Sequence, residues 1–358
     1  MTRNCNCLFP NPLPGKWLKG KAIGSGAFGT VHLALNKANG SLFVVKSAES
    51  CAGLESLENE ANILEGLNSP FIVQCMGKEL SKGLNGELKI NVFMEYMAGG
   101  SLSDVAEKFG GGAMDEEMIR SFTRGILYGL KYLHEQGIVH CDLKCTNVLL
   151  GSSGNVKLTD FGCAKRLKDM KETLGQSVGG TPLWMAPEIL RNEGLDYSAD
   201  IWSLGCTVIE MATGKPPWSD EFTNPAAAIL KIACSNDKPL FPSKFSKKGL
   251  DFLSKCLERN PKRRWTAEEL LEHPFILGKK SSARDITRID DGSCSPSSIL
   301  DIGMYDYEYD SESDESDEEE EESLHVNPFS TRQQQCMVRK QEGADLEPLE
   351  DWITVRSG

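Results

Sequence analysis

The chain has 358 residues, of which 40% are hydrophobic and 25% charged, a balance typical of a protein that buries at least one large core. Its formal net charge is -13, but twelve of the acidic residues lie between Asp306 and Glu322 with no basic residue among them, so the rest is nearly neutral. A neutral body lacks the basic face that nucleic-acid binding requires, and without an apolar run of about 18 residues we expect no membrane insertion.

Residues 17–97 are predicted to form a small lobe made mainly of strands. Apolar residues alternate over 31–35, and residues 42–46 and 90–94 are short apolar runs, which are typical of strands. Over 54–67 apolar residues instead recur at three- and four-residue spacing, which predicts one helix.

Residues 98–276 are predicted to form a larger lobe made mainly of helices. Helical periodicity is clear over 118–134 and 200–213, and short strand-like runs lie between them at 148–150 and 156–158. The predicted fold class is therefore α+β, with a small mainly-β lobe followed by a larger mainly-α lobe.

The two ends of the chain are predicted to lie outside this domain. Residues 1–16 have no apolar stretch of the signal-peptide kind and are predicted to be a disordered leader, and the twelve scattered cysteines predict free thiols inside the cell. Residues 277–358 are predicted to be a largely disordered regulatory tail with an acidic run at 306–322. Residues 346–355 regain apolar side chains, and this segment either docks onto the domain or a partner or is unstructured.

A glycine-rich string opens the candidate site. Residues 24–31 follow the pattern G-x-G-x-x-G-x-V, in which glycines let backbone amides approach phosphate oxygens. A strand follows and ends in Lys46, whereas a dinucleotide-binding fold would place a helix there. Glu60, fourteen residues further on, is suited to hold the ammonium of Lys46 in place. The alternative interpretation is a surface lysine and a solvated helix glutamate.

Three further motifs carry the chemistry. The string from His140 to Asn147 follows the pattern H-x-D-x-K-x-x-N, and it is followed by Asp160-Phe161-Gly162 and then by Ala186-Pro187-Glu188. With the glycine-rich string, Lys46 and Glu60, these motifs come in the order of the eukaryotic protein kinase family, which the chain resembles over residues 17–276. The resemblance implies a bilobal protein kinase fold with an N-lobe over 17–97 and a C-lobe over 98–276.

The resemblance also implies roles for individual residues. Asp142 is expected to accept the proton of the attacking hydroxyl, with Lys144 as a cation beside the transferred phosphate, and Asn147 and Asp160 are expected to bind Mg²⁺. Lys144 and Thr181 resemble the residues of serine/threonine kinases. The residues expected to bind ATP are Ile23, Gly24, Gly26, Gly29, Val31, Lys46, Met94, Glu95 and Met97. Structural roles are implied for the column Leu64, Cys75, His140 and Phe161, for its anchor Asp200, and for the ion pair of Glu188 with Arg264.

The amino-acid sequences of two loops resemble those of one branch of the family. The hinge string at 93–101 and the string at 180–188 are similar to MEKK-type mitogen-activated protein kinase kinase kinases, and Cys141 before the catalytic aspartate is similar to a short plant subgroup. The resemblance implies mitogen-activated protein kinase kinases as substrates, a role in stress or hormone signalling, and a location in the cytoplasm and nucleus.

Cys141 stands where most family members have an arginine that grips an activation-loop phosphate. A phosphate on Thr173, Ser177 or Thr181 would lose its main charge-assisted partner, so we hypothesise constitutive or abundance-controlled activity. Three alternatives to this cascade kinase remain: a pseudokinase scaffold, a serine/threonine kinase outside the cascade, and a module whose acidic tail binds basic proteins. The tail is either a passive solubilising segment or an arm that binds a regulator.

Overall fold

The structure is a computed structural model and describes residues 16–26, 29–82, 87–108, 113–169, 178–219, 221 and 224–278. The predicted leader, except Lys16, and the predicted tail beyond Gly278 lie outside these residues, as do Thr173 and Ser177. All described residues belong to one compact unit of the chain. Among them, no helix combines the length and the apolar character needed to cross a bilayer.

The first lobe is a five-stranded antiparallel sheet with one helix beside it. The strands lie in the order β1-β2-β3-β5-β4, so that β1 and β4 form the edges. Its elements are β1 (Trp17–Gly26), β2 (Gly29–Asn36), β3 (Leu42–Ala48), α1 (Cys51–Leu64), β4 (Cys75–Lys82) and β5 (Leu88–Glu95). Alternation along β3 turns Val44 and Lys46 to the opposite face from Phe43 and Val45, which join a separate aromatic cluster with Phe93.

Helix α1 begins and ends three residues earlier than the predicted 54–67. Ser50 caps its first turn, with the side chain accepting a hydrogen bond from the Gly53 amide, so the helix includes a first turn that has little apolar periodicity. At the other end the helix stops at Leu64, before Gly66. Glu60 is almost fully buried on the face of α1 that is turned to the sheet.

The second lobe is built from helices around α5. Its elements are β6 (Gly100–Ser101), α2 (Leu102–Lys108), α3 (Glu116–Glu135), β7 (Ile138–Val139), β8 (Val148–Leu150), β9 (Val156–Leu158), β10 (Lys165–Arg166), α4 (Pro187–Leu190), α5 (Ser198–Thr213), α6 (Pro225–Cys234), α7 (Lys247–Cys256), α8 (Ala267–Leu271) and α9 (Pro274–Leu277). Most residues of α5 are buried, which makes this helix the centre of the lobe. Arg124 on α3 donates a hydrogen bond to the Ile276 carbonyl and so ties α9 to α3.

Two small sheets carry the loops that face the first lobe. Strands β6, β8 and β9 form one antiparallel sheet, and β7 pairs with β10 in the other. A short 3-10 turn (Cys145–Asn147) leads into β8, and another (Phe161–Cys163) follows β9. The described residues confirm the predicted α+β class, with a mainly-β lobe that contains one helix and a mainly-α lobe. Strands predicted at 148–150 and 156–158 are present with those bounds.

Candidate active site

Lys46 joins the two lobes through a pair of carboxylates. Its Nζ lies 2.6 Å from Glu60 Oε2 on α1 and 2.9 Å from Asp160 Oδ1 in the second lobe. Burial lowers the pKa of Lys46, but the two carboxylates outweigh burial, so the net pKa is raised and the ammonium keeps its charge. Burial alone would raise the pKa of Asp160, because it disfavours the charged carboxylate. The neighbouring Lys46 ammonium outweighs burial, so the net pKa of Asp160 is lowered.

Asp160 has a left-handed backbone conformation, with φ 65° and ψ 69°. This region is sparsely populated by residues other than glycine, so the surrounding contacts must hold it. On one side, Glu60 Oε1 accepts a hydrogen bond from the Phe161 amide at 3.2 Å. On the other side, the His140 ring lies against the Phe161 ring, with centroids 4.9 Å apart.

His140 links the loop of Asp142 to the strand that leads to Asp160. Its Nδ1 accepts a hydrogen bond from the Asp142 amide at 3.3 Å, which puts the proton of the neutral ring on Nε2. That Nε2–H donates to the Thr159 carbonyl at 3.0 Å. One buried ring therefore links the backbone of Asp142 to that of Thr159, the residue before Asp160.

The carboxylate of Asp142 is held by three side chains. Thr181 Oγ1 donates to its Oδ1 at 2.6 Å, while Lys144 Nζ lies 3.1 Å from Oδ2 and 2.6 Å from Thr181 Oγ1. Asn147 Nδ2 donates to Asp142 Oδ2 at 3.0 Å and to its backbone carbonyl at 2.8 Å. The segment that contains Thr181 is thus joined directly to the loop of Asp142. The Asp142 carboxylate, a proton acceptor, lies beside the Lys144 ammonium.

Asp200 at the start of α5 anchors the same loop from below. Its carboxylate is fully buried and accepts hydrogen bonds from the amides of His140 at 2.9 Å and Cys141 at 3.0 Å. His134 Nε2 lies 2.9 Å from the same carboxylate. Burial raises the pKa of Asp200, but the contacts with His134 and His140 outweigh it, so the net pKa is lowered and the anchor keeps its charge.

Strands β1 and β2 and the hinge after β5 bound the space above Lys46. Gly29 has φ 140°, and a Cβ there would collide with the Ser47 carbonyl, so only glycine fits this approach of the glycine-rich string to β3. The remaining glycines of the string and Ile23 lie on β1, and Val31 lies on β2 beside Lys46. The tip of the string, residues 27 and 28, lies outside the described residues.

The hinge is held from behind by its own glutamate. Glu95 Oε1 accepts hydrogen bonds from the Gln74 amide at 2.7 Å and from Lys157 Nζ at 2.6 Å. Met94 and Met97 are buried on either side. The side chain of Glu95 is therefore engaged with β9 and the residue before β4, which leaves the hinge backbone as the group suited to contact a planar ring.

The segment that contains Thr181 packs through two neighbouring glycines, Gly179 against the turn after Asp160 and Gly180 against the loop of Asp142. A Cβ on Gly179 would lie 3.0 Å from Cys163 Sγ, and a Cβ on Gly180 would lie 2.5 Å from the Cys141 carbonyl oxygen. Burial raises the pKa of Cys141 well above its usual value and that of Cys163 to about 12, so neither has the character of a reactive thiolate.

Two carboxylates further along the chain, buried Glu188 and partly buried Glu210, hold the end of this segment. Glu188 forms a two-pronged ion pair with Arg264, at 2.6 and 3.1 Å. Glu210 on α5 accepts hydrogen bonds from the Cys145 amide at 3.1 Å and from Trp184 Nε1 at 3.0 Å, and burial raises its pKa. Sequence reasoning missed Glu210, because only its place on the inner face of a buried helix distinguishes it.

The residues present fit a magnesium-bound nucleotide. The Asn147 side chain donates from Nδ2 to Asp142, so its Oδ1 points away from Asp142. Asp160 accepts from Lys46 with Oδ1, which leaves Oδ2 as a candidate metal ligand. Among the described residues, no three His, Cys, Asp or Glu side chains converge as an independent metal site. Mg²⁺ is commonly held by one or two protein oxygens together with substrate phosphates, so this pair suits a metal that arrives with a nucleotide.

The bilobal kinase fold is defined by three features. The chain has two lobes, Lys46 pairs with a carboxylate from each of them, and Asp142 contacts Lys144 and Thr181. The protein kinase domain model matches residues 17–276. The chain belongs to the protein kinase family.

Its relatives include plant proteins from one branch of that family. Over 307 residues the chain is 41% identical to mitogen-activated protein kinase kinase kinase 2 of Arabidopsis thaliana, an alignment that covers 82% of this chain and 46% of that protein. It is 41% identical over 266 residues to kinase kinase kinase 17 and 42% identical over 270 residues to kinase kinase kinase 18 of the same plant, covering 74% of this chain in each case and 70% and 78% of those proteins.

These relatives confirm the resemblance to plant kinase kinase kinases of the mitogen-activated type. The chain spans less than half the length of kinase kinase kinase 2 and of two further plant relatives.

Proposed function

We propose that this protein is a serine/threonine protein kinase that transfers the terminal phosphoryl group of ATP to mitogen-activated protein kinase kinases. The observation that carries the proposal is the position of Asp142, whose carboxylate is held by Lys144, Thr181 and Asn147 at the junction of the lobes. A pseudokinase that had lost phosphoryl transfer would have no need for this set together with the buried ion pairs of Lys46.

The contacts support a task for each residue in phosphoryl transfer. Asp142 Oδ1 already accepts a hydrogen bond from a hydroxyl, that of Thr181, which supports its role as acceptor of the proton of a substrate serine or threonine; such general bases contribute about 10²- to 10⁴-fold. Lys144 places a positive charge beside the reacting oxygens, and Lys46 is held by Glu60 to meet phosphate oxygens. Mg²⁺ bound to ATP would offset charge on the phosphates, with Asn147 and Asp160 as its protein ligands.

The substrate class rests on similarity. The relatives are named kinases of mitogen-activated protein kinase kinases, and two of them align over most of their length. We propose the same substrates for this chain, within plant stress or hormone signalling in the cytoplasm and nucleus, with a regulator that binds the acidic tail. A serine/threonine kinase outside the cascade is the second candidate, since the site itself does not distinguish between protein substrates.

Radiolabelled phosphate transfer by the purified full chain tests the proposal. Wild type and Asp142→Asn are compared with Mg²⁺, ATP and catalytically inactive kinase kinases, with a general substrate such as casein in parallel. Transfer to the activation loop of a kinase kinase, lost in the variant, supports the proposal. Transfer to casein alone would leave a kinase outside the cascade, and nucleotide binding without any transfer would indicate a scaffold.

A further inference from the structure

Asn59 on α1 binds the turn that follows Asp160 through three backbone carbonyls. Its Nδ2 lies 3.3 Å from the Phe161 oxygen, 3.1 Å from the Gly162 oxygen and 3.1 Å from the Ala164 oxygen. An amide nitrogen has two hydrogens, so at least one of them is shared between two carbonyls. A half-buried carboxamide therefore supplies the donors for a whole turn.

Asn59 and Glu60, adjacent on α1, bind the two backbone polar groups of the same residue, Phe161. Glu60 Oε1 accepts from the Phe161 amide, whereas Asn59 donates to the Phe161 carbonyl. One turn earlier on α1, Ser56 lies so close to Gly162 that a Cβ on Gly162 would collide with the hydroxyl. One face of α1 thus meets both the donor and the acceptor groups of the turn, and a movement of the helix would break these contacts together.

These contacts with the turn are important because Asp160 immediately precedes it. Asp160 has a left-handed backbone conformation that its own side chain does not stabilise, and its carboxylate is one of the two oxygen ligands suited to Mg²⁺. The carbonyls that Asn59 binds belong to the four residues after Asp160. Holding them fixes the direction in which the Asp160 carboxylate leaves the chain, as outer partners of metal ligands commonly do.

We propose that Asn59 is a positioning residue that sets the affinity of the Asp160 carboxylate for Mg²⁺ by donating to the turn at 161–164. The inference rests on the proposed function in taking Asp160 as a ligand of the nucleotide-bound metal. Asn59 acts through the backbone of the turn and contacts neither the metal nor the substrate.

The chain offers informative variants on one helix. Asn59→Asp has the same shape but puts a carboxylate oxygen where three carbonyl oxygens converge, and Asn59→Ala removes the donor. A purely local role in the helix predicts that Asn59→Ala is neutral or stabilising, because alanine is the better helix former. Asn62 is the matched control: it lies three residues further along α1 and its Oδ1 accepts from Lys78 Nζ, away from the turn.

The test is the dissociation constant of a non-hydrolysable ATP analogue for the full chain, measured by titration calorimetry with Mg²⁺ and again with the metal chelated. We expect Asn59→Asp and Asn59→Ala to weaken binding of the magnesium complex by about 10- to 100-fold, while metal-free binding changes by at most about twofold. Asn62→Asp should leave both constants unchanged. Thermal melting identifies any variant that does not fold. The Asn59 variant that does fold then tests the inference.

Equal weakening with and without metal, or no weakening in either Asn59 variant, would overturn the inference. This readout does not depend on phosphoryl transfer. If wild type binds the magnesium complex and the variants differ from it as expected, the inference stands even if no protein substrate is found. If wild type binds no nucleotide at all, the proposed function fails and the inference fails with it.

Discussion

Gly180 lies against the backbone of Cys141, so that a Cβ on the glycine would be 2.5 Å from the Cys141 carbonyl oxygen. The contact joins the segment that contains Thr181 to the residue immediately before Asp142. Thr181, which follows Gly180, donates to Asp142, so the position of its hydroxyl depends on how closely Gly180 approaches Cys141.

We expect Gly180→Ala to reduce kcat/KM by about tenfold or more, since a forced backbone rearrangement of this kind costs roughly 1–3 kcal/mol. Gly180 has φ 141°, so part of any loss comes from backbone strain alone. Gly194→Ala is the control for that part, because Gly194 has φ 122° and a Cβ added there would meet no atom within 4 Å. Steady-state kinetics with a peptide substrate measures both, and equal losses would refute a special role for the Cys141 contact.

Activation-loop phosphorylation is expected to have little effect on activity. Cys141 offers no guanidinium to a loop phosphate, and Gly180 already packs against the Cys141 backbone while Gly179 lies beside Cys163. We expect the double variant Thr173→Ala, Ser177→Ala to keep activity within about twofold of wild type, since no charge-assisted pair at position 141 is lost. Initial rates before and after phosphatase treatment provide the second measurement, and a rate abolished by the phosphatase would contradict the prediction.

The ion pair of Glu188 with Arg264 is expected to matter for stability. Both side chains are buried, and removing one partner leaves the other charge without compensation. Arg264→Ala should therefore lower the free energy of unfolding by about 3–5 kcal/mol in urea titrations. The control is Arg191→Ala at the exposed pair with Glu193, where we expect about 1 kcal/mol or less. Comparable losses in the two variants would show that burial does not set the cost.

Cys163 is expected to react slowly with alkylating agents although it is only partly buried. Its pKa is raised to about 12, mainly by burial and then by Asp142 and Asp160, and the thiolate is the reactive form. Below that pKa the thiolate fraction rises about tenfold with each pH unit, so the iodoacetamide rate should still climb steadily at about pH 10, whereas a thiol at the ordinary value of 9.0 would level off above pH 9. Peptide-level mass spectrometry measures the rate, and levelling off above pH 9 would show that the pKa is not raised.

The strongest parts of the sequence prediction were the elements whose signal is local. Strand β8 is a short apolar run and β9 alternates apolar and polar residues, and the α+β division follows from where helical periodicity begins. Strand β4 was not predicted, because it is an edge strand in which Lys78, Leu80 and Lys82 are exposed, so it lacks the apolar alternation of a half-buried strand.

For the site, the sequence identified the ionisable residues other than Glu210, but not the backbone groups that hold them. The pairing of Lys46 with Glu60 was expected from their motifs, and the structure brings them to 2.6 Å. The partners of Asn59 are carbonyls, which every residue has, so no pattern of side chains distinguishes them. The start of α1 was misplaced for a related reason: Ser50 caps the helix by one hydrogen bond, and the residues after it have no apolar periodicity.

The long-range pairs have a consequence for the time course of synthesis. Lys46 meets Asp160 across 114 positions of the chain, and Glu188 meets Arg264 across 76. A nascent chain that has left the ribosome only as far as α1 carries the lysine and one of its carboxylates, without the other. Domains generally fold as units during synthesis, so the candidate site is assembled late and all at once, when the last helices have emerged.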